Sequence, residues 1–183
     1  LPAQRMNEVV QQVEQEGVVA CPAEAVWGLT CDPLSEDAVL QLLAMKHRPI
    51  SKGLIIVAAS SAMLGPLLKP LDSAQRNELE LSWPGPNTWL VPNRGLYPDW
   101  ITGESDEIAI RVTSAPALAL LCYRLGRPVV STSANPAGAQ PARHSFQVVR
   151  YFGRGLVRAP GVVDLEASPS TIRRVGTGEV LRA

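Results

Sequence analysis

The chain has 183 residues, 46% hydrophobic and 19% charged, with 17 basic side chains balanced by 17 acidic ones. That length supports one domain with a real core, and the charge balance argues against a strongly basic nucleic-acid binder, leaving room only for a local patch. Cys21, Cys31 and Cys122 are widely spaced without a CxxC pair, and there are only two histidines. A disulfide framework and a zinc site are therefore not expected, and the cysteines read as reduced core thiols. No run approaches the roughly 18 apolar residues of a membrane span, and the start has no signal-peptide pattern. The expectation is a cytoplasmic chain with no membrane contact.

Met6, Val9, Val10 and Val13 recur at helical spacing with Gln and Glu between them, which predicts a helix stopped by Gly17. GVVAC (17–21) reads as a short buried strand ended by Pro22, and PAEAVWGLTCDP as a loop. Ser35 caps a second helix with core face Val39, Leu42, Leu43 and Met45; it runs into Lys46, and Pro49 ends it. LIIVAA (54–59) is apolar throughout and predicts a strand buried on both faces. A helix over 72–83 leads into the rigid turn WPGPNT (83–88). TWLVP (88–92) and EIAIRV (107–112) read as strands, and APALALLCYRL (115–125) as an apolar helix stopped by Gly126. PVVST (128–132) reads as a strand opening into the polar turn SANPAG. A helix near 144–152 precedes short strands at 155–158, 170–174 and 179–182. This alternation predicts one α/β domain over residues 1–183, a twisted, mostly mixed β-sheet flanked by helices. Ligand-bearing loops belong at its strand ends.

Neither a Walker-type phosphate loop nor a GxGxxG turn occurs, so nucleotide binding needs another route. Lys46, His47, Arg48 and Lys52 crowd into KHRPISK between a helix and a buried strand. Arginine's planar fork and lysine's point charge suit a polyphosphate; a solvated helix end complementing the macrodipole is the plain alternative. STSANPAG (131–138) offers hydroxyls and an amide at the end of a buried strand. They suit a phosphate or a carboxylate, or an ordinary polar turn. With no G-x-S-x-G elbow, and only His47 and His144 as bases, a serine hydrolase is a poor reading. Arg111 in IAIRV needs a partner if it is buried, either a structural carboxylate or a ligand. The tail SPSTIRR (168–174) sets hydroxyls beside arginines, suiting an anion or plain solvent exposure. Trp27 and Trp83 read as core residues ahead of stacking platforms.

Together PAEAVWGL, KHRPISKGL, WPGPNT, IAIRV, STSANPAG and PSTI, in this order and spacing, resemble the YrdC/TsaC family of threonylcarbamoyl-AMP synthases in its short bacterial form. The resemblance runs from Gly17 to Arg182, and K-x-R followed by S-x-N is the family's mark. It implies a YrdC-like fold and a nucleotidyltransferase. That enzyme joins L-threonine, bicarbonate and ATP into L-threonylcarbamoyladenylate and pyrophosphate. Proteins of a t6A-transfer complex then modify adenosine at position 37 of tRNAs reading codons that start with A. By the resemblance, Lys46 and Arg48 are catalytic and contact phosphates. Ser133 and Asn135 hold the nucleotide or its magnesium, and Arg143 and Arg182 also serve ATP. Arg111 pairs with the threonine carboxylate beside Ser131, and Ser170 and Arg182 close the pocket. Mg2+ is expected with ATP, and no metal ligands on the protein are.

The chain has Pro22-Ala23-Glu24 where the family reads P-T-E. One hydroxyl of the implied amino-acid pocket is thus missing, and Thr30 or a water is the substitute. Trp27 stands for the usual Tyr or Phe as an aromatic wall. Two other readings compete. One is a non-catalytic module binding tRNA or double-stranded RNA, with salt-sensitive affinity. The other is the carbamoyl-transfer domain of hydrogenase-maturation proteins, which are longer chains with zinc and acylphosphatase segments.

Overall fold

The computed structural model describes residues 2–182, and of Arg182 the main chain alone. In chain order the helices and strands are α1 (Ala3–Glu14), β1 (Val19–Pro22), β2 (Trp27–Cys31), α2 (Glu36–Lys46), β3 (Ile55–Ala58), α3 (Gly65–Leu68), α4 (Ser73–Ser82), β4 (Asn87–Pro92), α5 (Asp99–Thr102), β5 (Glu107–Val112), α6 (Pro116–Leu125), β6 (Val129–Ser133), α7 (Ser145–Phe152), β7 (Thr171–Arg174) and β8 (Val180–Arg182). Short 3-10 turns lie at Ile50–Lys52 and Ser61–Leu64.

Helix ends follow the local chemistry. The Ser35 hydroxyl accepts from the Ala38 N–H at 3.3 Å at the start of α2, and Glu36, Asp37 and Lys46 sit at the ends that suit the dipole. His47, at φ 51°, terminates α2 in the left-handed region, two residues before Pro49. The side-chain oxygens of Asp72 and Gln75 each accept from the other's main-chain N–H, a capping box on α4. Pro116 opens α6 and Gly126 closes it at φ 67°.

The strands form one eight-stranded sheet in the order β1-β2-β6-β3-β5-β4-β7-β8. β3 pairs with β5 and β4 with β7 in parallel; the other neighbours are antiparallel. Alternate residues feed two cores. Val19, Cys21, Val57 and Val129 meet α1 and α6 through Met6, Val9, Leu118 and Leu121. Ala20, Leu29, Ile56 and Val130 point the other way, into a larger core with Leu42, Leu64, Leu79 and Ile101. All three cysteines are buried. Desolvation is the largest cause raising their thiol pKa values, with Cys122 pushed up to about 12. Among the described residues, no helix is long and apolar enough to cross a membrane.

Two expected elements differ. The segment read as a loop after Pro22 contains β2, every residue of which is buried. Burial on both faces removes the polar alternation that marks a strand, and Gly28 disguises it further. The strand expected at 155–158 is reduced to one parallel bridge between Arg158 and Ala20. There the chain runs along the outer edge of β1, exchanging Ala20 N–H to Val157 O and Ala159 N–H to Ala20 O at 2.9 and 2.8 Å. Gly155 and Pro160 keep this cover short, and it still occupies an otherwise open edge.

Candidate active site

The sheet's register builds the site. Gly28, Ser131 and Ser133 lie on neighbouring strands with Thr30 paired to Ser131 and Gly28 to Ser133. Across β3, Ile55 faces Ala109 and Val57 faces Arg111. By the period of two these residues share the face that α1 and α6 cover over β1, β3 and β6. Where those helices stop, the face opens into a cavity of about 630 Å³. Its walls come from the 23–26 turn, the segment after α2, β5, β6 and the tail at 168–170. Gly28 sits at a close approach: a Cβ there would lie 2.8 Å from the Ser131 hydroxyl and 3.3 Å from the Thr132 carbonyl.

Arg48 and Lys52 line one wall. The Arg48 guanidinium donates to the Gly53 carbonyl at 3.0 Å and to that of Lys52 at 3.4 Å, folding the loop around itself. Gly53 sits at φ 63° with a virtual Cβ 3.0 Å from the Thr102 carbonyl, so a side chain is doubly disfavoured there. Lys46 is buried behind this wall and is not part of it. Its ammonium donates to the carbonyls of Ser133 and of Asn135, the latter at 3.1 Å. Burial first, and then the neighbouring Arg48 charge, lower its pKa to about 8.

Arg111 and Glu24 form an ion pair at 3.4 Å, each side chain 9% exposed, and both line the cavity. Glu24 Oε1 also accepts from the Thr113 hydroxyl at 2.7 Å and from the Ser114 N–H at 3.1 Å. Ser131, Ser133 and Ser170 reach the cavity, and the Thr88 hydroxyl donates to Ser170 Oγ at 3.3 Å. Three cations, two carboxylates (Glu24 and Glu107) and five serines (Ser105, Ser131, Ser133, Ser168 and Ser170) therefore share one hollow with an apolar patch that includes Leu90, Ile172 and Leu181. Such a surface can hold a polyanion beside a small amphoteric molecule.

A family model described as Sua5_yciO_yrdC, telomere recombination, matches residues 11–183. The chain belongs to the Sua5/YciO/YrdC family. A Cellvibrio japonicus relative named threonylcarbamoyl-AMP synthase is 50% identical over 179 residues, spanning 97% of this chain and 95% of that one. The like-named protein of Stutzerimonas stutzeri is 48% identical, over 97% and 96%. The crystal structure of P. abyssi Sua5 complexed with L-threonine superposes with TM-score 0.85 at 26% identity, over 96% of this chain and 52% of that one. Escherichia coli YciO shares the fold, with TM-score 0.86 at 21% identity over all of this chain and 90% of that one.

Of the residues that the family resemblance singled out, Arg48, Arg111, Ser131, Ser133 and Ser170 meet at the cavity. Lys46 reaches it indirectly, through the loop it holds. Asn135 turns its amide to the carbonyls of Pro136 and Ala139, at 3.1 and 2.9 Å. Arg143 donates to the Leu165 carbonyl, and neither residue lines the cavity. Arg182 ends β8, and its side chain lies outside the described residues. Trp27 is 2% exposed and packs in the core on the opposite face, so it is no wall of the site. Thr30 is fully buried, and its hydroxyl has no hydrogen-bond partner among the described residues. It does not line the cavity, whereas Ala23 does. The sequence reading missed Glu24, Thr113 and Gly28. A lone carboxylate within the apolar run CPAEAVWGL was the available signal for Glu24.

Proposed function

We propose that this chain is a threonylcarbamoyl-AMP synthase, a nucleotidyltransferase forming L-threonylcarbamoyladenylate and pyrophosphate from L-threonine, bicarbonate and ATP for tRNA modification. The carrying observation is the single hollow that gathers Arg48, Lys52, Arg111, Ser131, Ser133 and Ser170 from remote parts of the chain. The reading takes residues 1–183 as one YrdC-like domain acting in the cytoplasm and handing its product to t6A-transfer proteins.

The threonine amine condenses with bicarbonate to a carbamate, releasing water. A carbamate oxygen then attacks the α-phosphorus of ATP, and the bond to the β-phosphate oxygen breaks to release pyrophosphate. The carbamate and ATP are both anions. Catalysis is therefore chiefly positioning and charge neutralisation, without a covalent nucleophile on the protein. In this reading Arg111 receives the threonine carboxylate, with Ser131 and Ser170 beside it. Arg48 and Lys52 face the phosphates. Lys46 holds the Ser133–Asn135 loop against the nucleotide. Among the described residues, no cluster of three or more His, Cys, Asp or Glu is placed to hold a metal. Magnesium enters this scheme on the phosphates of ATP as part of the substrate.

The test measures pyrophosphate from ATP and bicarbonate with and without L-threonine. Threonine-dependent release is expected, and release that ignores threonine overturns the assignment.

A further inference from the structure

We infer that Glu24 is a specificity-determining residue, whose charge makes the Arg111 subsite select a zwitterionic amino acid over a plain carboxylate anion. The inference rests on the reading of Arg111 as the anchor of the substrate carboxylate.

The geometry makes Glu24 a fixed charge. Its Oε1 is held by the Thr113 hydroxyl and the Ser114 N–H at 2.7 and 3.1 Å. The Thr113 oxygen in turn accepts from the Ala115 N–H at 3.1 Å. The main-chain carbonyl of Glu24 accepts from Asp164 N–H at 2.9 Å. The carboxylate thus sits beside the N-terminal end of α6, where the helix field favours an anion. Its second oxygen, Oε2, is buried and lies 3.4 Å from the Arg111 guanidinium. It acts on a ligand in the cavity through its field, with no direct contact required.

An arginine standing alone would attract any carboxylate. Paired with Glu24, the subsite carries no net charge. An anion approaching Arg111 then also meets the repulsion of Glu24 close behind it. A zwitterion brings an ammonium within a few ångströms of its own carboxylate, and that ammonium offsets the repulsion. The other acidic wall residue, Glu107, is four positions away along β5 and is engaged by Arg174 at 3.0 and 3.1 Å. Glu24 is therefore the charge that sets the preference. A unit charge about 6 Å away in a partly screened site changes an ion's binding constant by at least about tenfold.

The experiment measures binding of L-threonine and of its deaminated analogue, 2,3-dihydroxybutanoate of matching configuration, by calorimetry. Wild type is expected to bind threonine at least about tenfold more tightly than the analogue. Equal affinities in wild type overturn the inference without any variant. Glu24→Gln keeps an acceptor for Thr113 and Ser114 while removing the charge. In it the threonine-to-analogue ratio is expected to fall at least about tenfold, mainly because the analogue binds more tightly. An unchanged ratio overturns the inference, as does equal weakening of both ligands, which marks Glu24 as a mere prop for Arg111. Either result leaves the anchor reading intact. If Arg111→Ala binds threonine as wild type does, the anchor reading itself fails and takes this inference with it.

Discussion

Lys46 shows how one side chain can carry opposite demands. Its ammonium is the donor for two main-chain carbonyls of the Ser133–Asn135 loop, yet burial and Arg48 lower its pKa from 10.5 to about 8. In the proposed reading the charged form is the useful one, since a neutral amine holds the loop weakly. The charged fraction falls as pH rises through about 8, so kcat/KM for ATP at saturating threonine is expected to bend downward there. In Lys46→Arg the bend should vanish at any absolute rate, because a guanidinium stays charged; a bend that survives removes Lys46 from the profile. Stability runs the other way. In the unfolded chain the lysine keeps its proton to its ordinary value of 10.5, so between about 8 and 10.5 the folded state is the one that has lost it. This group's contribution to stability therefore rises with pH across that window while activity declines. At this scale the sequence was informative about charge and poor about aim. Arg48 stands out in a cluster of cations suited to a polyphosphate, and Arg111 as a strand charge that needs a partner if buried. Nothing in KHR distinguishes an ammonium that faces a ligand from one that ties down a loop. Nor does spacing reveal that Glu24 meets Arg111, since 87 residues separate them and only the sheet brings them together.

The element that decides the site's shape is the β1–β2 hairpin, half of which was hidden in the sequence. Helices announced themselves through the Ser35 cap and the Gly17 and Gly126 stops, because caps and stops are local chemistry. β2 did not, because a strand buried on both faces has no alternation to show. Its Gly28 lets β6 bring the Ser131 hydroxyl under the cavity floor. Gly28→Ala places a methyl 2.8 Å from that hydroxyl and 3.3 Å from the Thr132 carbonyl. The hydroxyl must rotate or the strands must part. The expected result is a stability loss of about 1–3 kcal/mol in denaturant unfolding. KM for threonine should rise more than KM for ATP, because Ser131 is on the amino-acid side in the proposed reading. Equal changes in both constants would mean that the strand as a whole had shifted.

At the scale of the molecule, the sheet separates support from chemistry. One core, with α2, α4 and α7 against it, covers the central strands on the face opposite the cavity. On the cavity face α1 and α6 cover only part of the strands, and the uncovered remainder is the site. That division was legible in outline, since alternating helices and strands demand a layered sheet. Which strands stay uncovered depends on the order β6-β3-β5-β4, set by long-range pairing that no local pattern encodes. The division predicts that damage to the support and damage to the site can be told apart. Met6 on α1 is fully buried in the smaller core, and α1 packs against α6 and β1. Met6→Ala removes apolar volume that rigid neighbours cannot fully refill, at an expected cost of about 2–5 kcal/mol in unfolding free energy. No cavity wall belongs to α1. Below the variant's melting range, KM for threonine and for ATP should therefore match wild type, while the unfolding midpoint drops. If KM for threonine rises along with the loss of stability, α1 steers Arg111 through α6 and Glu24, and the two layers are coupled.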